Sequence, residues 1–142
     1  MVDKGKSALD ELRVGFKTTH SRTITETDIS LFASISGDFN PVHMCQNYAE
    51  KTVFGGRIAH GVISLGLLSA AMAKLPGLPI FLSHSAKFLK PVRIGDTITA
   101  SAEVMEINRD RGMVTLKNTC TNQNGEVVVA GEAKCRIYQP PC

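Results

Sequence analysis

Apolar and polar positions along this chain change period near Pro76, dividing it into a helical half and a strand half. In the first half, Ile29, Phe32, Ala33 and Ile35 recur at helical spacing behind Thr25-Glu26-Thr27-Asp28. Thr25 can cap that helix, and Asp28, three positions on, can complete a capping box. Gly37 supplies the left-handed residue that ends it, so Asp38 emerges in a turn. Gln46 to Lys51 is predicted to form one short helical turn. From about Ile58 to Lys74, apolar residues cover nearly every face, which predicts a helix buried on most sides. Its small residues, Gly61, Ser64, Gly66 and Ser69, let a sheet close tightly around it, and Pro76 and Pro79 end it.

Beyond Pro76 the β-branched residues alternate or cluster. They predict strands at Ile80 to Leu89, Thr97 to Asn108, Met113 to Asn122 and Val127 to Tyr138. Asp110-Arg111-Gly112 and Asn124-Gly125 read as hairpin turns, because such sequences meet the positive φ that tight antiparallel connections demand. Phe16 to Ile24 adds a first strand, whereas residues 1–13 are charged and predicted to be frayed or loosely docked. A helix that is apolar all round needs more partner surface than a flat sheet offers. The expected architecture is therefore α+β: an antiparallel sheet wrapped around a long central helix, the hotdog fold. A sheet of about five strands leaves an edge, which predicts a homodimer or a dimer-based oligomer.

Composition narrows the function classes. The chain of 142 residues reads as one domain over 1–142, without internal repeats or low-complexity segments. A net charge of +3, with no zinc-finger spacing and no dense basic run, gives no nucleic-acid partner. Val62 to Ala73, the longest apolar stretch, is too short and too rich in Gly, Ala and Ser to span a bilayer. The first residues lack the apolar core of a secretory signal, so a cytoplasmic location is expected, with the cysteines at 45, 120, 135 and 142 reduced. Cys45, close to the polar turn, reads as a small semi-buried filler rather than as a nucleophile.

Candidate chemistry concentrates in Gly37-Asp38-Phe39-Asn40-Pro41-Val42-His43. Pro41 biases Asn40 to an extended conformation, so the segment reads as a loop that can turn Asp38 and His43 toward one water. One group can take a proton from that water while a proton reaches a neighbouring carbon. Asn40, both donor and acceptor, can orient the pair or the water. The same residue types also suit a purely structural turn: Asp after a helix end, Asn-Pro as a turn signal, and His as a cap. Gly61 opens the apolar helix, where its N–H has no intrahelical partner and the peptide dipoles add positive charge. A carbonyl oxygen on that N–H would be stabilised as an enolate forms, although close packing on a sheet explains a glycine there equally well.

That polar turn, followed by Ala59-His60-Gly61 at the helix start and by Phe88-Leu89-Lys90-Pro91-Val92 with Gly95-Asp96, resembles the hydratase-2 motif of the MaoC-like dehydratase family. The resemblance covers nearly the whole chain. It implies a hotdog-fold hydro-lyase, an (R)-specific enoyl-CoA hydratase of fatty acid metabolism that adds water to trans-2-enoyl-CoA. It further implies a dimer, an acyl-CoA or acyl-carrier-protein thioester as substrate, and no metal or organic cofactor. Residue by residue it makes Asp38 and His43 the acid–base pair, Asn40 the supporting amide and Gly61 the backbone donor. Ser69 falls where some members carry a helix serine near the site. The rival readings are a 3-hydroxyacyl-[acyl-carrier-protein] dehydratase, a non-catalytic acyl-binding hotdog subunit and, further off, a hotdog thioesterase.

Other groupings bear less weight. His20, His43, His60 and His84 with Asp38 lack metal-ligand spacing, so no metal site is expected; His60 is read as packing the loop before the helix and His84 as a core or interface histidine. Arg57, Lys87, Lys90 and Arg93 are candidate substrate-binding residues for a phosphate at a tunnel mouth, provided that they cluster in space; otherwise they are a solvated face.

Overall fold

The computed structural model describes residues 7–141; residues 1–6 and Cys142 lie outside them. A short 3-10 turn, Ala8–Glu11, precedes β1 (Lys17–Thr23) and α1 (Glu26–Ser36). Two single-turn helices, α2 (Pro41–Met44) and α3 (Gln46–Ala49), lead to α4 (Gly61–Met72). Four strands follow: β2 (Leu78–Phe88), β3 (Thr97–Asn108), β4 (Met113–Thr121) and β5 (Val127–Tyr138). All strand pairs are antiparallel, in the order β1-β3-β4-β5-β2, so the helical segment carries the chain from one sheet edge to the other. This is the hotdog fold expected from the sequence.

Local signals produced the elements they announced. Thr25 accepts from the Asp28 amide at 3.2 Å while the Asp28 carboxylate accepts from the Thr25 amide at 2.9 Å, completing the capping box. Arg22 holds the same carboxylate at 2.5 Å and keeps Asp28 below the usual carboxylate range. Gly37 ends α1 at φ 79°, the left-handed region that an L side chain rarely adopts. Pro79 lies inside β2, and the sheet tolerates it because β2 pairs only with β5 and its other edge is free.

Leu68, Ala71 and Met72 of α4 pack on Ile98, Ala100, Val104, Leu116, Val128 and Ala133 of the sheet, all buried. Of residues 1–13, expected to be frayed or loosely docked, 1–6 lie outside the described residues and the 3-10 turn is docked, with Ala8 and Leu12 buried and Arg109 donating to the Leu9 carbonyl. The long helix starts at Gly61, not Ile58: its N-cap, His60, has ψ 125°, and the Ile58 and Ala59 amides donate to the Val42 and Val92 carbonyls across the fold. It is covered on most sides, as expected, and Val62, Gly66 and Ser69 form one exposed stripe. No helix among the described residues is long and apolar enough to cross a membrane.

Candidate active site

Four hydrogen bonds tie the polar turn to the segment that starts α4. Ile58 donates its amide to Val42 O at 3.2 Å and accepts at its carbonyl from His43 Nδ1 at 2.8 Å. Arg57 Nε donates to His43 O at 2.6 Å, and His60 Nε2 donates to Asp38 O at 2.9 Å. A carbonyl oxygen only accepts, so each of the two imidazole bonds settles a tautomer. Neutral His43 carries its proton on Nδ1 and presents the Nε2 lone pair; His60 carries its proton on Nε2. The His43 and His60 rings face each other at a tilt of 32°, with centroids 4.0 Å apart, and the Phe32 ring lies 4.7 Å from that of His60.

His43 Nε2 faces Asp38 Oδ2 at 3.9 Å, a gap that one water can bridge. His43 is buried, whereas the Asp38 side chain is 46% exposed and stands on the open side of the pair. Pro41 does not make the segment a loop. It is the first residue of α2, where its missing N–H costs nothing, and Asn40 is the N-cap. Asn40 Oδ1 is engaged by the Val42 amide at 3.2 Å, and the Asn40 amide donates to Asp38 Oδ1 at 3.2 Å. Asn40 therefore shapes the turn and the carboxylate through the backbone.

Beside the pair lies a mainly apolar cavity of about 380 Å³, lined by His43, Ala59, Gly61, Ser64, Val92 and Val129, with Phe88, Leu89 and Lys90 at its exposed rim. The Gly61 amide opens α4 into it and has no acceptor among the described residues. A Cβ on Gly61 would lie 2.7 Å from two Phe88 ring carbons, so glycine is what lets that ring lie against the helix start.

The remaining candidates are engaged differently. Ser69 is exposed and does not line the cavity; Ser64, which spacing did not single out as functional, does. Arg57 and Arg93 are occupied inside the protein. Arg57 pairs with Glu26 at 2.8 Å besides holding His43 O, and Arg93 donates to Gly56 O at 3.2 Å and Phe54 O at 2.5 Å. Lys90 pairs with Glu126 at the cavity rim, and Lys87 is exposed on β2. Of these four, Lys90 alone lines the cavity. Folding does bring Asp38, His43 and His60 within 4.8 Å of one another, which spacing concealed. Of the two imidazoles, His60 spends Nε2 on the Asp38 carbonyl and has Nδ1 enclosed, so only His43 Nε2 faces the Asp38 carboxylate.

A sheet wrapped on one helix, with a carboxylate–imidazole pair at the open amino end of that helix, defines a hotdog protein built around a polar turn. Residues 10–125 match the MaoC like domain, and the chain belongs to that family. It is 44% identical over 130 residues, 90% of each chain, to the (R)-specific enoyl-CoA hydratase of Rhodospirillum rubrum. It is 38% identical to the 3-hydroxybutyryl-CoA dehydratase of Methylorubrum extorquens, over 90% of this chain and 82% of that one. The structure of the R-hydratase PhaJ1 from Pseudomonas aeruginosa superposes with a TM-score of 0.85 at 39% identity, covering 94% of this chain and 86% of that chain.

Proposed function

We propose that this protein is an (R)-specific enoyl-CoA hydratase, a hydro-lyase that reversibly adds water to trans-2-enoyl-CoA and yields (R)-3-hydroxyacyl-CoA. The observation that carries this reading is the 3.9 Å approach of Asp38 Oδ2 to His43 Nε2 beside the cavity that holds the Gly61 amide. The relatives named above support the (R) outcome and the CoA thioester.

Asp38 and His43 hold one water between them. Its oxygen bonds to C3 as the 2,3 double bond opens, one of its protons passes to the pair, and a proton is delivered to C2. Water is consumed and both side chains return to their starting states. The Gly61 N–H receives the thioester oxygen and stabilises the charge that develops there in the transition state. Asn40 holds the turn, and His60 holds the Asp38 backbone.

The active form is a homodimer. β2 is a long strand with a free edge, and Leu78, Ile80, Phe81 and Leu82 are exposed along it. An apolar groove of about 650 Å³ between α1 and α4, lined by Leu31, Ile35, Val62 and Gly66, is likewise uncovered in one protomer. A second copy would cover both surfaces and the open side of Asp38. Ser69 lies on the same stripe, so any part it takes in substrate binding runs through that copy.

Purified protein should hydrate crotonyl-CoA, and a panel up to dodecenoyl-CoA, repeated with carrier-protein thioesters, defines chain length and carrier. Asp38→Asn and His43→Ala should each lose activity by about 10²–10⁴-fold while melting as wild type does. A folded variant that retains wild-type hydration overturns the assignment. Wild-type protein that binds acyl-CoA without turnover marks an acyl-binding subunit instead.

A further inference from the structure

We propose that the Ser64 hydroxyl is a second hydrogen-bond donor to the thioester oxygen, acting beside the Gly61 amide, which makes Ser64 a catalytic residue. The inference rests on the hydratase reading of this site and adds a group to it.

Ser64 is 2% exposed and lines the same cavity as His43 and Gly61. A helical serine ordinarily satisfies its hydroxyl on the carbonyl four residues back. Ser36 does so, donating to Phe32 O at 2.6 Å. The Ser64 hydroxyl has no partner among the described residues; only its backbone is engaged, accepting at the carbonyl from Cys120 Sγ at 3.7 Å. It is also not one of the fully enclosed unpaired atoms, as His60 Nδ1 and Asn118 Oδ1 are. The oxygen therefore opens onto the cavity. Buried hydroxyls are nearly always hydrogen-bonded, so an unpaired one at a cavity wall marks a place where a ligand or water completes it.

Position says which ligand atom. Ser64 follows Gly61 by three residues, hence on the same helix face and about 4.5 Å further along the axis. Side chains on a helix lean toward its N-terminus, which swings this hydroxyl back toward the level of the Gly61 N–H. Two donors spaced that way can share one acceptor lying between them. The neighbouring wall, Ala59, Val62, Val92 and Val129, offers no competing side-chain hydrogen bond. An oxygen that gains negative charge during addition is the acceptor that benefits most from two fixed neutral donors.

The test is Ser64→Ala, which removes one oxygen and leaves the helix and the Cys120 contact in place. The expected result is a fall in kcat/KM for crotonyl-CoA of about tenfold to hundredfold, carried mainly by kcat. Binding of butyryl-CoA, the saturated analogue, should stay within about threefold, because the donor acts on charge that only the reaction develops. Activity within about threefold of wild type overturns the inference, as does a loss matched in full by weaker butyryl-CoA binding, which a purely structural role would give. Asp38→Asn assayed in parallel separates the two levels. Intact Ser64→Ala with inactive Asp38→Asn rejects the second donor alone; hydration retained by Asp38→Asn rejects the reading beneath it.

Discussion

Two carbonyl oxygens, those of Ile58 and Asp38, determine which nitrogen each of the neighbouring histidines leaves free. The consequence for His43 is chemical, since its Nε2 lone pair faces Asp38; for His60 it is positional, since its proton anchors the backbone of the residue that carries the carboxylate. These bonds were not legible in the motif, where His60 reads as tuning or packing the loop, because its bond joins residues 22 apart and ends on a carbonyl. Cysteine reactivity is decided at the same scale. Burial pushes the Cys120 thiol up to about 12 and the Cys135 thiol up to about 11, while Cys45 is exposed. In native protein an alkylating reagent should modify Cys45 and leave Cys120 and Cys135 untouched until denaturant is added, as peptide mass mapping can show. Native labelling of either buried thiol at the Cys45 rate would contradict this packing.

At the scale of elements, the amino end of α4 is held by amides that never enter the helix, and Gly61 is the first residue free to present an N–H to the cavity. The close approach of Phe88 predicts that Gly61→Ala keeps its fold but displaces the ring, with kcat/KM falling about tenfold and Phe88→Leu restoring part of it in the double variant. Strictly additive losses would show that the ring and the helix start are uncoupled. On β2, His84 is half-buried with Nε2 enclosed and unpaired, and desolvation lowers its pKa from the usual imidazole value. The unfolded chain therefore binds this proton more readily than the folded one. The stability that neutral His84 contributes is complete above the unfolded value, about 6.5, and is lost as pH falls through the lower folded value. Melting temperature should decline over that acidic window in wild type and decline less in His84→Phe.

For the whole molecule, the exposed apolar edge of β2 and the open stripe of α4 predict that two protomers pair. Sedimentation should give twice the chain mass. Leu82→Lys, which sets a charge on the free edge where β2 shifts register, should move the protein toward monomer and reduce hydration at least about tenfold. A wild-type monomer with full activity would rule out the dimeric site.

Local chemistry is what the amino-acid order determined by itself. The Thr25–Asp28 capping box, the Gly37 stop, the hairpin turns and the switch from helical to strand period depend on neighbours a few positions apart, so they were visible without coordinates. The Asp38–His43 approach was also anticipated, although by way of a loop, whereas His43 sits in α2. Only the tertiary structure decided which face of α4 meets the cavity, and with it the choice of Ser64 over Ser69. It also committed Arg57 and Arg93 to internal carbonyls rather than to a substrate phosphate. A helix that is apolar on nearly every side carries no periodic mark of its orientation; packing against β1 and β3 sets it, through contacts between residues far apart in the chain.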